Sequence, residues 1–201
     1  MPQFNRLKRE VSIKVVYYGP GLSGKTTNLI QLHGRYPDAQ RGRLVKLDTE
    51  QERTLFFDYF PVSLGTVRGF AVRVDFFTVP GQSYYNVTRR TVLTGTDGIV
   101  FVADSDPRRE EANLVAHQNM VENLERVGLA LDTLPLVYQW NKRDAPGALS
   151  TALLQAQLNP TGKPAIEAVA IQGDGVWETE RQILALTLRS LRKSAGEGEA
   201  A

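Results

Sequence analysis

Apolar residues in this chain of 201 amino acids fall into short runs, separated by stretches with helical periodicity. The run VSIKVVYY at residues 11–18 is β-branched and aromatic and predicts a buried strand. GRLVKLDT (42–49) and GFAVRVDFFTV (69–79) alternate, and in the second Phe70, Val72, Val74 and Phe76 share one face. DGIVFVAD (97–104) and LPLVYQW (134–140) are apolar runs bounded by turn residues, the pattern of strands covered on both faces. Residues 25–36 carry no Gly or Pro before Gly34 and predict a helix beginning at Lys25. The stretch DPRREEANLVAHQNMVENLERVG predicts another, with Asp106 as N-cap, Pro107 at the first helical position and Gly128 as its stop. Residues 175–193 predict a last amphipathic helix, followed by a frayed tail. With no internal repeat or linker, the expectation is one α/β domain over residues 1–193, a mostly parallel sheet flanked by helices, and a disordered tail at 194–201.

Charge and composition narrow the partners. The 24 basic and 22 acidic residues leave a formal net charge of +2, and they are scattered along the chain. That is no electrostatic footprint for nucleic acid, so none is expected as a partner. The basic start MPQFNRLKREV is not followed by an apolar run of signal-peptide length. No stretch approaches the about eighteen apolar residues that span a bilayer. Proline at position 2 excludes myristoylation there, and the lack of cysteine excludes disulfides, thiolate metal sites and thioether or thioester lipid anchors. A cytoplasmic protein with no direct membrane anchor is expected, and any recruitment to a membrane or cell pole would run through partners.

The segment YYGPGLSGKTTNL (17–29) joins the first predicted strand to the first predicted helix. Gly19, Gly24, Lys25 and Thr26 match G-x-x-x-x-G-K-[ST] in the strand–loop–helix context that the motif needs. Glycines let the backbone curl so that the N–H groups of residues 19–27, through Gly21, Leu22, Ser23 and Thr27, face one phosphate. The helix start at Lys25 aims its positive dipole end at the same place. Lys25 reaches the β- and γ-phosphates, and the Thr26 hydroxyl is a hard oxygen ligand for Mg²⁺.

Three later segments choose the base and the fate of the phosphate. Asn141, Lys142 and Asp144 in QWNKRDAP stand at the C-terminal end of an apolar strand, the edge where open α/β sheets bind ligands. A carboxylate there accepts two parallel hydrogen bonds from guanine N1–H and N2–H₂, a donor pair that adenine lacks. TVPGQSYY ends another apolar strand and resembles the D-x-x-G-Q segment of Ras-like GTPases. Gly81 would meet the γ-phosphate and Gln82 would orient the attacking water, while Thr78 stands where the pattern has an aspartate. A threonine there holds a metal-bound water more weakly. DTEQERTLFFDYFP lies where Ras-like proteins carry their first switch, and Thr49 and Thr54 are both candidates for the metal-sensing threonine. Thr54 is favoured, because the Leu-Phe-Phe run after it can anchor it. Arg53 beside it is then placed to act as an arginine finger supplied in cis, the alternative being a solvated loop arginine.

Taken with DGIVFVADS, these segments closely resemble the MglA-type bacterial small GTPases, switches of motility and cell polarity, over about residues 10–190. The resemblance implies a single P-loop NTPase domain of the Ras-like small GTPase fold that binds GTP and GDP with Mg²⁺. It implies that Arg53 and Gln82 act together in hydrolysis, that Thr54 sits on the metal, and that a threonine at position 78 is normal. It implies a roadblock-domain activator of the MglB type and downstream polarity or motility effectors. In the loop that backs the guanine, VAIQG aligns Ala170, with its N–H toward guanine O6, and puts Ile171 where Ras-like proteins have lysine. A GTP-dependent adaptor that hydrolyses little alone is the alternative; a nucleotide kinase has no use for N-K-x-D and P-G-Q. His33 and His117 read as ordinary helix positions and Trp177 as core. Phe56, Phe57, Tyr59 and Phe60 read as core or switch packing. The alternative for them, and for Tyr84 and Tyr85, is a partner surface uncovered by the switch.

Overall fold

A computed structural model describes residues 3–5, 9–47, 57–67, 69–81 and 85–197. Its centre is an eight-stranded sheet ordered β3-β4-β5-β2-β6-β7-β8, with β1 beside β2. The strands are β1 (Gln3–Asn5), β2 (Glu10–Tyr18), β3 (Val45–Leu47), β4 (Phe57–Val67), β5 (Phe70–Thr78), β6 (Gly98–Asp104), β7 (Leu136–Asn141) and β8 (Ala165–Glu167). From β5 to β8 all neighbours run parallel, whereas β3, β4 and β1 pair antiparallel. Among the described residues five helices accompany it: α1 (Lys25–Arg35), α2 (Asn86–Leu93), α3 (Glu110–Arg126), α4 (Thr151–Leu158) and α5 (Val176–Glu197).

The continuous apolar runs are explained by cover on both faces. In β2, Val15 and Tyr17 face a core built with Leu29 and Leu32 of α1 and Ile183 of α5. Val16 and Tyr18 face a second core with Ala116, Met120 and Leu124 of α3 and Leu154 of α4. Every residue of β6 and of β7 is buried. The alternation in β5 places Val72, Val74 and Phe76 in the first core, with Phe70 packed at its edge. Asp106 caps as expected: its side chain accepts from Arg108 N–H, and Pro107 opens a short 3-10 turn that leads into α3. Gly128 follows that helix at φ 75°.

Several elements differ from the sequence reading. Phe57–Val67 forms β4, where the sequence shows only a switch-like segment and aromatics; Pro61 and a register irregularity between Ser63 and Thr66 interrupt its alternation. The short α2, α4 and β8 lack the length that makes periodicity readable. The last helix extends through Glu197, four residues into the expected tail. Trp177 is half-buried, not core: its ring lies 5.6 Å from that of Tyr36, with the Arg35 guanidinium 4.4 Å above it. His33 and His117 are helix residues, bonded to Gly42 O and to the Tyr138 hydroxyl respectively. Phe60 is buried in the first core, while Phe57 and Tyr59 lie half-buried against Phe77. Phe56 and Tyr84 lie outside the described residues, and Tyr85 is half-buried at the N-cap of α2.

Candidate functional site

The loop between β2 and α1 lies at the C-terminal edge of the parallel strands, where the ends of β5, β6 and β7 converge. Gly19 has φ 143°, and a Cβ there would lie 2.2 Å from Val102 O of β6. Gly24 has φ 101°, and a Cβ there would lie 2.2 Å from Asn141 Nδ2 at the end of β7. Only glycine fits either position, so the loop is pressed onto the strand ends. Leu22 also lies in the left-handed region at φ 66° and leaves its side chain exposed. Ser23 is buried, and Thr26 and Thr27 stand in the first turn of α1. That turn is fixed from inside the fold: Asn28 exchanges hydrogen bonds with Gln139 of β7, which also donates to Thr179 of α5.

Lys25 is buried beneath this loop and donates Nζ–H to Gly19 O at 3.0 Å and Pro20 O at 2.6 Å. Burial, then the nearby Arg89 guanidinium, lowers its pKa to about 7, against an opposing pull from Asp58. An ammonium held on two carbonyls with little solvent favours an anion beside it, the kind of group that the phosphate-loop motif binds.

Asn141 joins the two halves of the site. Its Nδ2 donates to Ser23 O at 2.7 Å, and its Oδ1 accepts from Ala170 N–H at 2.8 Å. Ala170 gives its N–H to Asn141, and its side chain is buried. Lys142 adopts φ 63° and donates Nζ–H at 2.5 Å to Asp104, a fully buried carboxylate at the end of β6. Asp144 is exposed at the mouth of the same edge.

Oxygens of another kind gather on the opposite side of Lys25. Thr26 Oγ1 donates to Asp58 Oδ2 at 2.5 Å, and Thr78 Oγ1 donates to the same oxygen at 3.0 Å while accepting Asp58 N–H at 2.8 Å. Antiparallel pairing of β4 with β5 creates this contact, which the sequence reading missed because Asp58 belongs to no motif. The carboxylate absent at position 78 thus arrives from the neighbouring strand. One carboxylate and two hydroxyls beside a phosphate loop suit a hard divalent cation such as Mg²⁺. Among the described residues no cluster of three His, Cys, Asp or Glu side chains offers a competing site. A cleft of about 310 Å³ opens between Gly21, Lys25, Thr26, Asp58, Thr78 and Gly81.

Gly81 touches the loop. A Cβ there would lie 2.3 Å from Gly21 Cα, so the end of the TVPG segment rests directly on the phosphate loop. The preceding carbonyl, Pro80 O, accepts from Arg89 Nε at 3.0 Å. Arg89 is only 2% exposed and also donates to Asn119 of α3, whose Oδ1 accepts from Tyr18. Nothing in the pattern of TRRTV marks it as buried. Arg53, Thr54, Thr49 and Gln82 lie outside the described residues.

Comparison with known proteins agrees with this geometry. No family model matches the chain. It is, however, 45% identical over 193 residues, 96% of its length and 99% of the relative's, to the mutual gliding-motility protein MglA of Myxococcus xanthus (strain DK1622). The chain belongs to the MglA family of small GTPases. Eukaryotic relatives are more distant: it is 31% identical over 167 residues to ADP-ribosylation factor-like protein 4D of Mus musculus, covering 81% of this chain and 73% of that one. With ADP-ribosylation factor-like protein 6 of Caenorhabditis briggsae it shares 29% over 188 residues, 90% and 88% of the two chains. As a member of the MglA family this protein is a GTPase that binds guanine nucleotides on a small GTPase fold. Among the described residues no helix is long and apolar enough to cross a membrane.

Proposed function

We propose that this protein is a GTP-driven switch of cell polarity or motility, cytoplasmic and read by partners in its GTP form. The near end-to-end identity with MglA supports the reading most directly. In this reading the amides of residues 19–27 and the Lys25 ammonium bind the β- and γ-phosphates. Asp144 reads the guanine N1–H and N2–H₂, Lys142 lies along the base, and the loop at Ala170 backs the base near O6. Thr26 and Thr54 would hold Mg²⁺, with Asp58 and Thr78 on its waters, and the ion would neutralise charge on the phosphates. Gln82 orients a water that attacks the γ-phosphorus as its bond to the β-phosphate oxygen breaks, and the water's proton passes to the released phosphate. Arg53 stabilises the developing charge from the same chain, a contribution on the order of 10³ to 10⁵ in rate.

A regulatory partner with a roadblock domain would then need only to hold the two switch segments together. Recruitment to a pole or membrane runs through such partners and downstream effectors. The experiment is GTP turnover with and without a roadblock-domain protein. Arg53→Ala and Gln82→Leu should each retain GTP binding and abolish the stimulated rate. Full stimulation of Arg53→Ala, with one partner arginine indispensable, would place the finger in trans.

A further inference from the structure

Leu22 holds φ 66°, a conformation that a branched side chain avoids, and its side chain is 86% exposed. Side-chain packing therefore does not explain why it stays there; such residues persist where neighbouring groups over-determine the backbone. The group at hand is Arg109, in the turn between β6 and α3, whose Nη2 donates to Gly21 O at 2.7 Å. In a planar trans peptide the carbonyl and the following N–H point in opposite directions. Gripping Gly21 O thus turns the Leu22 N–H away from Arg109. On its other side Gly21 rests against Gly81, so its peptide is held from two directions.

Arg109 has its own ion pair, although its buried Nε makes no hydrogen bond. Its Nε lies 4.0 Å from Asp104 Oδ2, the buried carboxylate oxygen that takes Lys142 Nζ at 2.5 Å. Asn113 of α3 braces the Asp104 backbone, accepting its N–H at 2.9 Å and donating to its carbonyl at 2.8 Å. One carboxylate therefore serves a lysine of the N-K-x-D segment and the arginine that grips the phosphate loop.

We propose that Arg109 is a positioning residue of the nucleotide site, orienting the Gly21–Leu22 peptide so that the Leu22 N–H is presented to nucleotide phosphate. The proposal rests on the guanine-nucleotide reading of this loop. It is tested on the full chain by the release rate of a fluorescent GDP analogue. Arg109→Ala should speed release about tenfold, the scale of one charge-assisted hydrogen bond, and Arg109→Lys should restore part of it. Glycine occupies φ 66° without strain, so in a Leu22→Gly background the same Arg109→Ala change should matter less, about threefold. A residue that merely stabilised α3 would be indifferent to Leu22. Release unmoved by Arg109→Ala, or an equal or larger factor in the glycine background, overturns the proposal. Should the alanine variant fail to fold, Arg109→Gln and Arg109→Lys run the same cycle. A parent chain that binds no guanine nucleotide removes both readings, whereas one that binds it with an additive cycle removes only this one.

Discussion

Lys25 shows what one buried cation imposes on its surroundings. Its pKa of about 7 in the free protein lies far below the 10.5 of an exposed lysine. Between those values the unfolded chain binds the extra proton, so the free protein gains stability as pH rises from about 7 toward 10.5. A bound phosphate reverses the preference, because the ammonium then faces an anion. Nucleotide binding above pH 7 should therefore take up close to one proton, and affinity should fall up to about tenfold per pH unit there while staying flat below it. Calorimetry at pH 8 in buffers of different ionisation enthalpy measures that proton; no uptake would contradict the lowered pKa. Gly81 carries a second expectation. Its added Cβ would meet Gly21 Cα at 2.3 Å and Gly21 N at 2.7 Å, both backbone atoms that cannot rotate aside. A Cβ on Gly21 would meet nothing closer than Gly81 O at 3.6 Å. Gly81→Ala should lower single-turnover GTP hydrolysis at least about tenfold, whereas Gly21→Ala should keep GDP affinity within about threefold. Unchanged hydrolysis by Gly81→Ala would mean that these segments are not in contact in solution.

Elements meet through a few buried polar groups, and α5 docks on α1 through one of them. Glu180 of α5 is 1% exposed and accepts the Tyr36 hydroxyl at the end of α1. Burial raises its pKa to about 7, against the pull of that hydrogen bond and of Arg35. Here the sign is opposite to that of Lys25. The folded state binds the extra proton between about 4.5 and 7, so this stability is full below pH 4.5 and is lost as pH rises through 7. Glu180→Gln keeps the shape and an acceptor without the charge. It should raise the melting temperature at pH 8, by the equivalent of a few kcal/mol at most, and change it little at pH 5. A variant less stable at pH 8 than the parent would show that the carboxylate is held charged. In the sheet the decisive element is β4. Antiparallel pairing with β5 sets Asp58 beside Thr78, and a one-residue slip would turn that carboxylate to the other face.

In the proposed reading the whole molecule takes a base at one end of a sheet edge and a phosphate at the other, and Asn141 is bonded to both loops. Because Asp144 would face a donor pair that adenine lacks, GDP should bind at least about 10³-fold more tightly than ADP. Competition of ADP against labelled GDP measures this, and comparable affinities would remove the guanine reading. Much of the arrangement is local in origin and was legible in the chain itself. Strand–loop–helix context, glycine spacing and apolar runs marked Gly19, Gly24, Lys25 and Thr26, the strand ends at Asp104 and Asn141, and the parallel centre of the sheet. Those signals survive in a linear chain because they depend on neighbouring residues and on backbone conformations that only glycine takes easily. Asp58, Arg89 and the contact of the Ala170 N–H with Asn141 were not legible. Asp58 reaches Thr26 across 32 positions, Arg109 reaches Gly21 across 88, and Asn141 reaches Ser23 across 118. Such contacts exist only once strand register and helix docking are set. Carboxylates and arginines read as solvated in sequence because most of them are, and only tertiary packing removes the water and supplies the partner.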